Sequence, residues 1–193
     1  EATAMYSIGL LYQNGKGVKQ DYNKAYKWYK KAAELGEAKA MCTIGLLYVE
    51  GEGVEQDYTK AYKWYKKAAE LGHAISINNI GWLYQNGKGV EQDYNKAYEW
   101  YKKAAELGEA TAMYSIGLLY EEGKGVEQDY NKAYEWYKKA AELGEATAKN
   151  KLEGQQINNK KNQILDQEGE SGCSTCLGYL IIFFILFIVI SGC

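Results

Sequence analysis

The 193-residue chain has no proline, no arginine and a single histidine. The lack of proline suits helical stretches. Without arginine, all 23 basic residues are lysine, and the flat, forked donor favoured by phosphate and base-edge readers is missing. The 25 acidic residues leave a net charge of −2. No basic patch stands out, so no nucleic-acid partner is expected. Four cysteines (Cys42, Cys173, Cys176 and Cys193) are too few and too unevenly placed for a disulfide scaffold. The lone His73 has no Cys or Asp companion at ligand spacing, which argues against a metal site and suggests a surface helix residue. A nucleophile–base pair and the phosphate-cradling GxxxxGK[ST] pattern are also missing. No catalytic residue, no cofactor and no enzymatic activity are therefore expected. Residue 1 is Glu and the chain opens inside a repeat. An N-terminal stretch is expected to be missing, so the lack of a signal peptide carries no weight.

What the chain has is repetition. The segment GKGVEQDYNKAYEWYKKAAELG at Gly87–Gly108 returns unchanged at Gly123–Gly144, and Gly36, Gly72, Gly108 and Gly144 fall every 36 residues. Four units follow, 1–36, 37–72, 73–108 and 109–144, with a decaying fifth over 145–164 as a partial repeat or capping helix. Self-similarity at this period marks a solenoid. In unit 4, Met113, Ile116, Gly117 and Tyr120 share one helical face. Gly123 suits the left-handed turn that ends that helix, and Asp129 is a natural N-cap for a second. Ala133, Trp136 or Tyr137, and Ala140 share the second helix's face, and Gly144 closes it. The fold class is an all-α solenoid of antiparallel helix pairs. Gly9, Gly45, Gly81 and Gly117 sit inside the first helices, where glycine costs about 1 kcal/mol against alanine. Close helix approach, with Ala133-type alanines opposite, is the expected compensation. Spacings such as Glu99–Lys103 read as surface ion pairs.

The residues IGLLYQNGKGV, DYNKAYKWYKKAAELG and their counterparts resemble the Sel-1-like repeat family, relatives of the tetratricopeptide repeats. The resemblance covers roughly 145 residues of the chain. It implies a right-handed superhelix and an adaptor role, including in membrane-bound complexes of endoplasmic-reticulum-associated degradation. Some bacterial relatives carry cysteine pairs within their repeats and were linked to β-lactam hydrolysis. Cys42 is the only cysteine in these repeats, so that link is not carried over.

Binding specificity is sought where the units disagree. Units 3 and 4 differ at nine positions, all in or beside the first helix. Ile75, Asn78, Trp82 and Gln85 form a stripe there, apart from the Ile80–Gly81–Tyr84 packing face. Tyr6 and Leu10, Cys42 and Leu46, and Tyr114 and Leu118 occupy the same stripe in the other units. In tetratricopeptide relatives the first helices line the concave surface. The resemblance thus implies a protein- or peptide-binding stripe, with Trp82 and Tyr6 or Tyr114 as aromatic anchors; the alternative is drift at solvated positions. The formal charges of units 1 to 4 are +3, −1, 0 and −3, a gradient that would also suit a self-associating array.

The character changes after Ala148. A polar linker is expected over 165–175, then the uncharged run CLGYLIIFFILFIVISGC at 176–193. Eighteen residues at about 1.5 Å each span about 27 Å, close to a bilayer's hydrocarbon thickness. The expectation is a C-terminal transmembrane helix that gives a single-pass, tail-anchored protein of the endoplasmic reticulum or another endomembrane. Lys160 and Lys161 weakly favour repeats in the cytosol; a missing signal peptide would place them in the lumen. Cys173 and Cys176 are lipidation candidates just outside the span, with inert thiols as the alternative.

Overall fold

The computed structural model describes residues 1–154. Among them are eight 13-residue helices: α1 (Ala2–Asn14), α2 (Tyr22–Glu34), α3 (Ala38–Glu50), α4 (Tyr58–Glu70), α5 (Ala74–Asn86), α6 (Tyr94–Glu106), α7 (Ala110–Glu122) and α8 (Tyr130–Glu142). They belong to one compact unit, Glu1–Lys149. Residues 146–154 are also helical, and no strand occurs among the described residues. Each helix packs on its neighbours in sequence, most extensively within the pairs α1–α2, α3–α4, α5–α6 and α7–α8. This is an all-α repeat solenoid.

Local chemistry sets the ends of the helices. Asp21, Asp57, Asp93 and Asp129 stand in extended backbone before the second helices. Each Oδ1 accepts the backbone N–H of the lysine three residues on, at 2.9 to 3.0 Å. The same carboxylates reach the lysine ammonium, at 3.0 Å for Asp93 and Lys96. At the other end of the first helices the glycine turns left-handed, as in Gly123 with φ 66°. Lys124 N–H then closes on the Leu119 carbonyl at 3.0 Å. Satisfying these orphan end groups is what allows 13-residue helices to stop cleanly.

The second helix presents Ala97, Tyr101 and Ala104 to the core, and Ala133, Tyr137 and Ala140 do the same in the next pair. Of Trp136 and Tyr137, it is the tyrosine that is buried; Trp136 is half-buried. The buried arc of the first helix is wider than its periodicity indicated. Ala112, Ile116, Gly117 and Leu119 are buried in α7, whereas Met113 and Tyr120 are half-buried. The reason is that α7 is sandwiched between α8 and the preceding α6. The glycines inside the first helices face aromatic rings, and not the alanines expected opposite them. A Cβ on Gly81 would lie 2.7 Å from Cδ1 and Cε1 of Tyr101, and Gly9, Gly45 and Gly117 face Tyr29, Tyr65 and Tyr137 alike.

Neighbouring pairs are joined by tyrosines. Tyr26 and Tyr48, Tyr62 and Tyr84, and Tyr98 and Tyr120 meet edge to face, with centroids 5.9 to 6.0 Å apart. Their hydroxyls lie 3.1 to 3.4 Å apart. Each pair combines ring stacking with a hydrogen bond between half-buried groups. The Glu99–Lys103 ion pair is not what holds this surface. Lys103 Nζ lies 4.7 Å from the Trp100 ring centre, and Asp93 pairs with Lys96.

Of the expected 145–164 segment, residues 146–154 are helical and Ala148 is buried. The linker 165–175, the membrane span 176–193 and the lipidation candidates Cys173 and Cys176 lie outside the described residues. Among the described residues no helix is long and apolar enough to cross a membrane.

Candidate functional site

The stripe singled out in the sequence divides into three kinds of residue. Tyr6 and Tyr114 do not stand free as anchors. Their rings lie against Tyr29 and Tyr137, with centroids 5.4 Å apart and planes tilted by 40° and 39°. Leu10 and Leu118 are half-buried beside them. Gln85 is also engaged within its own pair, accepting the Tyr101 hydroxyl at 2.6 Å. Ile75, Leu46 and Trp82 are exposed, at 50%, 39% and 39%. Cys42 and Asn78 are half-buried, and Asn78 Oδ1 is buried with no hydrogen-bond partner. Burial pushes the Cys42 thiol up, the direction of an inert cysteine.

Two of these residues converge. Leu46 on α3 and Trp82 on α5 line a recess of about 210 Å³ together with Val49, Tyr65 and Asn79. The repeat explains why the recess forms here. In units 1, 3 and 4 the buried tyrosine of the second helix donates its hydroxyl to the first helix: Tyr29 to Gln13, Tyr101 to Gln85, Tyr137 to Glu121. Unit 2 carries Val49 at that position, which has no acceptor. Burial raises the Tyr65 pKa strongly, and Asn79 of the next unit reaches back to unit 2 with its Nδ2 4.0 Å from Cys42 Sγ. Asn79 stands where the other units have Ser7, Thr43 and Ser115, and Trp82 where they have Leu10, Leu46 and Leu118. Departures from the repeat in two adjacent units thus meet at one place. Val49 falls on the stripe at the unit-2 position equivalent to Gln85, whereas Tyr65 and Asn79 were absent from the sequence-derived site. The available signal was the loss at Val49 of the polar residue that the other three units keep.

A larger recess of about 420 Å³ lies along α2, lined by Lys24, Lys27, Trp28, Lys30, Lys31 and Glu34. There Lys31 Nζ sits 4.5 Å from the Trp28 ring centre. The same arrangement recurs as Lys67 on Trp64, Lys103 on Trp100 and Lys139 on Trp136. That contact is common to all four units, whereas the recess between α3 and α5 is lined by residues of units 2 and 3.

His73 is not the surface helix residue that its isolation suggested. It is half-buried at the N-terminus of α5, where its Nδ1 accepts the Ser76 N–H at 3.3 Å and meets Ser76 Oγ at 3.0 Å. Burial and the nearby Lys39 hold its pKa below the ordinary histidine value. Among the described residues no group of His, Cys, Asp and Glu converges in a way that would hold a metal ion.

The chain is similar to known proteins over these helices. The Sel1 repeat model matches four times in succession, at residues 2–37, 38–73, 74–109 and 110–145. A Sel1 repeat protein from Oxalobacter formigenes is 41% identical, with a TM-score of 0.73, over 77% of this chain and 60% of its own. A protective antigen of uropathogenic Escherichia coli with the same repeat fold is 42% identical, with a TM-score of 0.74, over 79% and 32%. The chain therefore spans 60% and 32% of these two relatives. Cysteine-rich protein B of Helicobacter pylori is 32% identical, with a TM-score of 0.53, over 69% of this chain and 96% of that one. No curated protein matches the chain.

Proposed function

Since the chain belongs to the Sel1 repeat family, a fold generally used for protein–protein interaction, we propose that it is a non-enzymatic adaptor. It docks a segment of a protein partner on the surface built by α3 and α5. The recess between Leu46, Val49, Tyr65, Asn79 and Trp82 is its specificity element. The observation that carries this reading is the meeting of unit-specific residues at one place in an otherwise repeated molecule. Residues kept in every unit already have work within the solenoid as caps, ring stacks and core. An exposed tryptophan beside an apolar recess is the kind of feature that dominates interface energetics. The uncharged run 176–193 supports a second element of the proposal. It would hold the adaptor at a bilayer, in the endoplasmic reticulum or another endomembrane, with the repeats in the cytosol.

The test is a selection of displayed random peptides on the full chain in detergent micelles. The affinity of a selected peptide is then compared for the parent, Trp82→Ala and Leu46→Ala. Both side chains are exposed enough to be shortened without opening the core. Each substitution is expected to weaken binding at least about tenfold, or ~1.4 kcal/mol. Unchanged affinity in both variants, with unchanged helix content, refutes the recess as the docking element.

A further inference from the structure

The second helices are nearly the same helix four times over. Across α2, α4, α6 and α8 only two of the 13 positions vary, and only one of those changes charge. That position holds Lys27 and Lys63 in the first two units, and Glu99 and Glu135 in the last two. All four side chains are exposed, and none forms an ion pair among the described residues. Lys27, Lys30, Lys31, Glu34 and Leu35 follow one another at i, i+3, i+4, i+7 and i+8, which is one face of a helix. Each such face ends on a leucine that the fold leaves open: Leu35, Leu71, Leu107 and Leu143 are 53 to 55% exposed. The second helices thus present four apolar points, one per repeat, beside a row of charges whose sign reverses at its middle. From this geometry we infer that their outer face is an interface for a second copy of the chain, docked with its repeats in the opposite order.

A surface with the same repeat spacing meets all four leucines at once, and another copy of the chain has that spacing by construction. Two arrangements with two-fold symmetry bring such faces together. With the repeats in the same order, Lys27 would face the partner's Lys27 and Glu135 the partner's Glu135, and like charges oppose the contact. With the order reversed, Lys27 faces the partner's Glu135 and Lys63 the partner's Glu99. Symmetry makes each contact twice, so all these pairs are of opposite sign. Leu35 then meets the partner's Leu143, and Leu71 the partner's Leu107. The formal charges of whole units agree, since unit 1 at +3 lies opposite unit 4 at −3. Lys30 and Glu34 recur unchanged in every unit and favour neither order. Exposed ion pairs contribute little each. Here the leucines supply the apolar area and the pairs fix the order. This face takes no part in the recess between α3 and α5, so the inference stands apart from the docking reading.

The experiment compares two double variants of the full chain that keep the parent's net charge. Lys27→Glu with Glu135→Lys exchanges a facing pair and leaves every contact attractive in the reversed order. Lys27→Glu with Glu99→Lys sets like charge against like at every contact. Each substitution places on an exposed helix surface a residue that the repeat already carries at that position. Both variants are therefore expected to keep their helix content by circular dichroism. Mass is followed by sedimentation velocity in density-matched detergent micelles from about 1 to about 100 µM chain. Association through the run 176–193 is common to all three proteins and cancels in the comparison. The parent and the first variant are expected to dimerise at the same concentration, and the second to need at least about tenfold more. Raising the salt from about 0.1 to about 1 M should erase that difference, because the screening length falls to about 3 Å. Equal dimerisation of the two variants, a difference that survives the salt, or a parent that stays monomeric throughout overturns the inference.

Discussion

Replacing Gly81 by alanine separates two effects of opposite sign. Alanine is the better helix former by about 1 kcal/mol, so in an open helix interior the change stabilises. In α5 the added Cβ would sit 2.7 Å from two ring carbons of Tyr101, against an ordinary contact distance of about 3.5 Å or more. The ring must retreat by most of an ångström. It is 1% exposed, so it has nowhere to go without moving its neighbours, and overpacking of this kind costs about 1–3 kcal/mol. The same shift strains the 2.6 Å hydrogen bond from Tyr101 to Gln85, worth about 1 kcal/mol net. The balance is a loss of about 1–3 kcal/mol. Urea unfolding followed by far-ultraviolet circular dichroism should show the midpoint falling. The slope is checked as well, because a repeat array can unfold in parts. A second variant isolates the ring. In a Tyr101→Leu background, Gly81→Ala should be neutral or should recover up to ~1 kcal/mol, giving a coupling energy of opposite sign. A Gly81→Ala protein more stable than the parent refutes the reasoning, because helix propensity would then outweigh contact with the ring.

Two further outcomes follow from particular groups. His73 accepts the Ser76 N–H through its neutral Nδ1, and burial with Lys39 nearby lowers its pKa in the fold. Its contribution is therefore complete above the unfolded value of about 6.5 and is lost as the pH falls through the lower folded value. The urea midpoint of the parent should drop between about pH 7.5 and about pH 5 by more than that of His73→Glu, the residue found in the other three units. Equal drops refute the cap. For the proposed bilayer anchor, the full chain should float with liposomes in a density gradient, while a chain ending at Gln163 should stay in the dense fractions. Equal sedimentation of the two removes the anchor from the proposal.

Most of the fold is legible in the sequence because the signals that set it are local. Asp129 caps α8 through an amide three residues away, and Gly123 closes α7 through its own φ. Neither needs a tertiary partner, and each recurs at a fixed spacing, so repetition averages away the ambiguity of any one copy. The errors fall where the partner lies across the helix pair or where the residue type is an unusual one for its task. Gly81 looked like a place for alanines because helix approach is the common use of a helical glycine, whereas its partner is the ring of Tyr101 across the pair. His73 looked solitary because histidine is a rarer N-cap than the aspartates, although the amide it serves is likewise three residues on.

The candidate site was half legible for a related reason. Comparing units one position at a time finds Trp82, which is exposed and unit-specific, and with it the exposed Leu46 at the same position of unit 2. The same comparison admits Tyr6 and Tyr114, whose rings are spent on Tyr29 and Tyr137. It puts Val49 on the stripe but misses its meaning, which lies in the hydroxyl that Tyr65 does not place on it. A binding site in a repeat protein is therefore better sought as a joint departure, a set of substitutions in adjacent units that line one recess. Cys42 and Val49 replace the ring and the hydroxyl acceptor that pack on the central tyrosine in units 1 and 4. Asn79 and Trp82, a full repeat further on, supply the rim. A recess lined from two repeats, with Val49, Asn79 and Trp82 all departing from the repeat and Cys42 beside them, is a stronger ground for binding than the exposure of any one residue.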